Sequence, residues 1–201
     1  GNELPELQAH IAEICLRVGK RLIVPPNKSL DEWIKFYNAL PNWRMRWCTR
    51  QIKIEPCIVY LLKHPGSTLM VGLRADEEAR EGLYGPYARY RYPLREWGWS
   101  LVDVQNYLRE RDITIPRRTD CALCPFQRIG EWWQLWRNHP TEYAKGEAYE
   151  AMTHHTFRSP GGHRDTWATS LAALRIEFES GRLPRGMKEG PDVQVCRVCS
   201  L

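Results

Sequence analysis

Apolar residues recur at helical spacing from the start of the chain. Leu4, Leu7, Ile11, Ile14 and Val18 mark one face of a helix. Asn2 is its N-cap, Glu3 and Glu6 sit at its positive end, and Gly19 ends it. Residues 21–24, Arg-Leu-Ile-Val, predict a short strand stopped by Pro25-Pro26. Ser29 and Glu32 form a capping box for a second helix through about Leu40, whose Trp33 and Tyr37 are expected in the core. Residues 49–64 read as a third helix with Pro56 as a local problem, and residues 68–73 as a buried strand between turn signals. This alternation predicts an α/β fold with a parallel sheet. Further on, Ser100 caps a helix to about Arg111, and residues 128–152 are helical and rich in Trp. Gly161-Gly162 breaks the chain, residues 167–180 form a last helix closed by Gly181, and the Pro- and Gly-containing tail from Arg182 is a loop.

The length, 201 residues, suits one domain with a real core, or one domain plus a small appendage. No apolar run is long enough to span a membrane and no secretory signal opens the chain, so a cytoplasmic setting without a membrane partner is expected. Seven cysteines in a reducing setting point to metal-binding or catalytic thiols, not to a disulfide framework. The net charge of +5 leans mildly toward anionic partners such as nucleotides or nucleic acid.

Several stretches concentrate the chemistry. Cys121-Ala-Leu-Cys124 and Cys196-Arg-Val-Cys199 share a spacing that lets both sulfurs of a pair turn toward one ion, and soft thiolates select zinc or an iron–sulfur cluster. Burial of the same thiols as small hydrophobes is the alternative. Cys48 lies among Arg44, Arg46, Arg50 and Lys53 at the expected start of a helix, where cations and the helix dipole favour a thiolate and could also bind phosphate. Arg74 follows the predicted strand at the sheet end where open α/β folds bind ligands, with Asp76, Glu77, Glu78 and Arg80 in the turn after it. Trp97 and Trp99 are expected to pack. His154-His155 with His163 and Arg164 read as a basic loop more than as zinc ligands.

Five segments, in order, resemble the phosphoadenosine phosphosulfate (PAPS) reductase family of the N-type ATP pyrophosphatase superfamily. They are the opening Gly1-Asn-Glu-Leu-Pro-Glu6, Arg46-Trp-Cys-Thr-Arg-Gln-Ile-Lys-Ile-Glu-Pro56, Gly72-Leu-Arg-Ala-Asp-Glu77, the stretch from Pro93 to Tyr107, and the first CxxC. The resemblance implies an adenine nucleotide alpha hydrolase-like α/β domain over residues 1–127; it does not extend over residues 128–201, which read as a helical, cysteine-rich part. It implies a [4Fe–4S] cluster on Cys48, Cys121 and Cys124, with Cys196 or Cys199 as fourth ligand or as catalytic nucleophile. Zinc on the same sulfurs is the alternative. Arg74, Arg80, Arg46, Arg50 and Lys53 would meet the anionic groups of an adenine nucleotide. Thr49 stands where adenylylsulfate reductases have a second adjacent cysteine, and the tail lacks the family's Glu-Cys-Gly sequence. The superfamily's phosphate loop is absent from these residues, and Gly1 in place of Met is expected to mark a chain whose beginning lies elsewhere.

The expected activity is sulfonucleotide reduction or sulfur transfer, with a redox or sulfur-donor protein as partner and self-association compatible with the sequence. A nucleic-acid-thiolating enzyme and a non-enzymatic zinc module that binds nucleic acid or protein are the two alternatives.

Overall fold

The computed structural model describes residues 2–77, 89–115, 121–159 and 165–187. The expectations for Arg80, His163, Arg164, Cys196 and Cys199 lie outside the described residues. The protein is mixed α/β and divides into two compact units that are interleaved along the chain. One unit draws on residues 2–4, Lys28–Cys48 and the described residues from 121 to 187; the other draws on Pro5–Asn27 and the described residues from 49 to 115. Residues 121–127 therefore pack with the helices that follow them.

The first unit is helical. Helix α2 (Leu30–Tyr37) begins at a capping box, as its sequence predicts: Ser29 Oγ accepts the Glu32 N–H at 3.3 Å, and Glu32 accepts the Ser29 N–H at 2.7 Å. Asn38 ends the helix in the left-handed region at φ 46°. Helices α6 (Ile129–Asn138) and α7 (Pro140–Thr153) are separated at His139, because Pro140 has no N–H to continue the ladder and suits a first helical turn. Helix α8 (Leu171–Glu179) starts at Ser170, whose Oγ accepts the Ala173 N–H, and is followed by Gly181 at φ +85°.

Trp132, Leu135, Tyr143, Phe157, Leu171, Leu174 and Phe178 are buried together with Leu30, Ile34 and Leu40, giving this unit a real core. Tyr143 donates to the Leu171 carbonyl at 2.8 Å, and Lys145 pairs with Asp31 at 2.5 Å, joining α7 to α2. The expected core role of the α2 aromatics is corrected. Ile34 and Leu30 take the buried positions, which leaves Tyr37 and Phe36 41% and 64% exposed and Trp33 half-buried.

The second unit holds α1 (Pro5–Arg17), a π-helical turn (Thr49–Ile54) running into α3 (Glu55–Lys63), β1 (Thr68–Met70), a 3-10 turn (Ala75–Glu77), β2 (Arg89–Arg91), α4 (Pro93–Glu96) and α5 (Leu101–Arg109). Pro56 lies in the first turn of α3, and the wider π turn before it replaces the i→i−4 ladder that proline cannot join. Helix α5 opens on a capping box in which Asp103 accepts the Ser100 N–H at 2.8 Å and the Ser100 hydroxyl at 2.6 Å.

Strands β1 and β2 pair in parallel, Leu69 opposite Tyr90, and the Val71 N–H extends the ladder to the Arg91 carbonyl at 2.9 Å. Two expectations fail here. Residues 21–24 form no strand, and Leu22, Ile23 and Val24 are exposed. The predicted buried strand over 68–73 shortens to three residues, with Thr68 and Met70 exposed. Among the described residues the sheet has only two strands, so the layered parallel core that buries a strand on both faces is not formed by them. Leu7 and Leu61 are this unit's buried apolar side chains among the described residues. Trp97, expected to pack, is exposed and leans on Trp99 at 5.3 Å.

Candidate metal centre

Cys121-Ala-Leu-Cys124 forms a tight turn whose two middle residues, and not its cysteines, carry the packing. Ala122 and Leu123 are each 1% exposed, whereas Cys121 and Cys124 are half-buried. Three hydrogen bonds fix the turn from different sides. The Ala122 N–H donates to the Asn2 carbonyl at 2.7 Å, the Gln127 side-chain amide donates to the Ala122 carbonyl at 2.5 Å, and the Gln127 N–H donates to the Cys124 carbonyl at 3.2 Å. Glu3 and Cys121 add an antiparallel bridge. The unit thus presents two sulfurs on a knuckle rooted in its hydrophobic core.

Gly146 of α7 completes the root. A Cβ there would lie 2.9 Å from Leu123 Cδ2 and 2.7 Å from Leu171 Cδ1, so any larger residue would force the Leu123 and Leu171 side chains to shift. No sequence pattern points to a role for Gln127. An isolated glycine inside a helical pattern was the available signal for Gly146, since such a residue usually has a packing reason.

Cys48 belongs to the same unit as the knuckle and is half-buried. Its neighbourhood reaches the knuckle loop through Arg46, whose guanidinium lies 4.9 Å from the Phe126 ring centroid. Among the described residues, no three His, Cys, Asp or Glu side chains stand close enough to hold one ion. Cys121 and Cys124 share one turn and Cys48 lies in the same unit, but the described structure does not bring these three together as one metal group. Cys15 and Cys57 lie outside the predicted set, and burial pushes the Cys57 thiol pKa up, which disfavours a thiolate there.

The predicted anion-binding residues are divided between the two units. Arg46 lies in the knuckle's unit, while Arg50, Lys53 and Arg74 belong to the other. Arg50 pairs with Glu55 at 2.8 Å and Lys53 is exposed. Arg74 is enclosed by its own turn, 2.9 Å from Asp76 and 3.4 Å from Glu77, and Arg95 donates to the Arg74 and Glu77 carbonyls. The Arg74 guanidinium holds the Asp76 carboxyl below its usual pKa. An anion reaching Arg74 would compete with two carboxylates. His154 caps α7 in the left-handed region at φ 56°, and the His155 ring meets the Thr153 carbonyl at 2.7 Å, so this pair terminates a helix.

An open cleft of about 450 Å³ adjoins the knuckle in the same unit, lined by Pro125, Gln127, Arg128, Arg158, Asp165 and Trp167 among others. Arg158 is buried there, held by Asp165 at 2.5 Å and by the Trp167 and Ala168 carbonyls. No family model, no curated protein and no solved structure matches the chain.

Proposed function

We propose that this protein is a PAPS-reductase-like enzyme that carries a cysteine-ligated [4Fe–4S] cluster, binds an adenine nucleotide, and performs sulfonucleotide reduction or sulfur transfer. The observation that supports this most is the cysteine knuckle: two thiols displayed on a turn rooted in a helical core, in one unit with Cys48. Cys121, Cys124 and Cys48 would hold the cluster, with Cys196 or Cys199 as fourth ligand or as nucleophile. When bound, such a cluster supplies one-electron redox capacity and concentrated charge near the substrate. The chain's own contribution is to orient the thiolates through Gln127 and the buried Ala122 and Leu123, and to set cations beside them through Arg44 and Arg46.

Protein purified without oxygen is expected to be brown, with iron and acid-labile sulfide in stoichiometric amounts. Colourless protein with one equivalent of zinc would instead support the interaction-module reading on the same sulfurs.

The nucleotide site is tested at Arg74. Arg74→Lys keeps the charge but loses the planar fork, and should weaken binding of adenylylsulfate and ATP roughly tenfold to a hundredfold. Unchanged affinity alongside a lowered melting temperature would show that Arg74 serves only its turn with Asp76 and Glu77.

A further inference from the structure

We propose that the knuckle-bearing unit carries a binding surface for single-stranded nucleic acid, centred on Trp43, Arg44, Arg46 and Phe126. The inference rests on the proposed function only for its consequence, that a nucleic acid would lie beside the sulfur site; the surface itself stands on geometry that involves no metal.

Large aromatic rings are unusually open on this unit. Trp43 is 55% exposed and Phe126 37%, in addition to the exposed Phe36 and Tyr37 of α2. Phe36 and Tyr37 belong to a connected series of rings with Trp33 and Trp47. Trp33 stacks on Tyr37 at 5.2 Å with 16° between the ring planes, and Tyr37 meets Trp47 at 5.3 Å. Cations sit over these rings at intervals. Lys28 lies 4.3 Å from the Phe36 centroid, Arg44 lies 4.6 Å from Trp43, and Arg46 lies 4.9 Å from Phe126. Among the described residues, no carboxylate pairs with Arg44 or Arg46.

The turn that carries Trp43 and Arg44 is built, not loose. Asn42 Oδ1 accepts the Arg44 and Met45 N–H groups at 2.9 and 2.8 Å, and the Asn42 N–H donates to the Met45 carbonyl at 3.2 Å. Such an Asx-type arrangement holds neighbouring side chains outward without a flanking helix.

Open π faces with cations beside them match a polymer that alternates planar bases with phosphates. Each ring accepts a base face regardless of sequence, and each guanidinium moves from its ring to a phosphate at small cost. An acidic peptide would use the cations and leave the rings without partners. A lone nucleotide would use only one ring.

The test is fluorescence anisotropy of labelled oligothymidylate and oligouridylate, each of about a dozen nucleotides, over a salt series. Wild-type protein should bind at low salt, and the thymidylate and uridylate arms show whether the sugar matters. The double variant Arg44→Ala/Arg46→Ala should bind at least about tenfold more weakly and lower the log–log salt slope by about 1.4, two phosphate contacts' worth. Trp43→Leu and Phe126→Leu should each weaken binding about fivefold to a hundredfold with the slope unchanged, because stacking releases no counterions. Arg109→Ala, in the other unit, should bind like wild type.

Absence of binding at low salt, equal displacement by polyglutamate, or variants that bind like wild type would each overturn the proposal. Metal content measured on the same preparations separates the two ideas. Oligonucleotide binding by protein that holds no metal retains the surface and removes the cluster, whereas metal retention without oligonucleotide binding does the reverse.

Discussion

Replacing Cys121 or Cys124 by serine is expected to abolish stoichiometric metal in the purified protein, and Cys48→Ser to do so to a comparable degree. A serine hydroxyl does not ionise near neutral pH and is a hard donor, so it cannot stand in for a thiolate toward iron or zinc. Changes to residues that merely orient a ligand already cost about tenfold to a hundredfold in metal affinity, and loss of a ligand should exceed that. The fold around the knuckle should survive, because Ala122 and Leu123, not the cysteines, are the buried residues of the turn. Cys15→Ser and Cys57→Ser serve as controls and should keep full metal. Analysis of iron, sulfide and zinc in the five variants decides the matter. Full metal in Cys121→Ser would remove the knuckle from the site, and full metal in Cys48→Ser alone would return that residue to the basic helix start.

Glu150→Ala should be among the most destabilising single changes in the helical unit, at about 2–5 kcal/mol. The Glu150 carboxylate is buried and accepts the Phe157 N–H at 2.8 Å and the Leu171 N–H at 2.6 Å, which joins α7 to the start of α8. Alanine strands both donors, and each buried unpaired N–H costs about 1–3 kcal/mol. Burial also raises the Glu150 pKa above its ordinary value of 4.5, despite the two N–H groups that oppose the shift. The folded protein therefore holds this proton to higher pH than the unfolded chain. This residue's contribution to stability is fully present below the unfolded pKa, and it declines as pH rises from there through the folded pKa.

Glu32, Asp76, Glu96 and Asp103 are shifted the other way, mainly by hydrogen bonds that favour their charged forms, so their contributions are lost as pH falls through their folded values. The difference between wild type and Glu150→Ala cancels those common terms. Denaturant melts at several pH values should show that difference shrinking as pH rises across the Glu150 window. A difference independent of pH would mean that Glu150 titrates alike in both states.

The parts of the fold that were legible in the sequence depend on near neighbours. The boxes at Ser29/Glu32 and Ser100/Asp103, and the stop at Gly181, each involve residues within one helical turn. Residues 21–24 carry a strand's composition, but a strand exists only through a partner's backbone, and no local pattern reports whether one is there. The face of α2 was misjudged because Leu30 and Ile34 compete with Trp33 and Tyr37 for the inside, and the choice depends on distant residues. At the candidate site, the CxxC spacing marked two thiols that share one turn. The insertion of Leu123 beneath Gly146 was not legible, since it joins positions far apart in the chain.

The interleaved composition of the knuckle's unit has a consequence for synthesis. Cys48 leaves the ribosome roughly seventy residues before Cys121, about 4–15 seconds earlier at ordinary elongation rates. The knuckle's root at Gly146 and Leu171 is made later still. Throughout that interval the early thiol has no completed fold around it and stays open to oxidation. Under the proposed function, delivery of a cofactor would wait until the last helices are made, and the nascent chain would have to stay reduced until then.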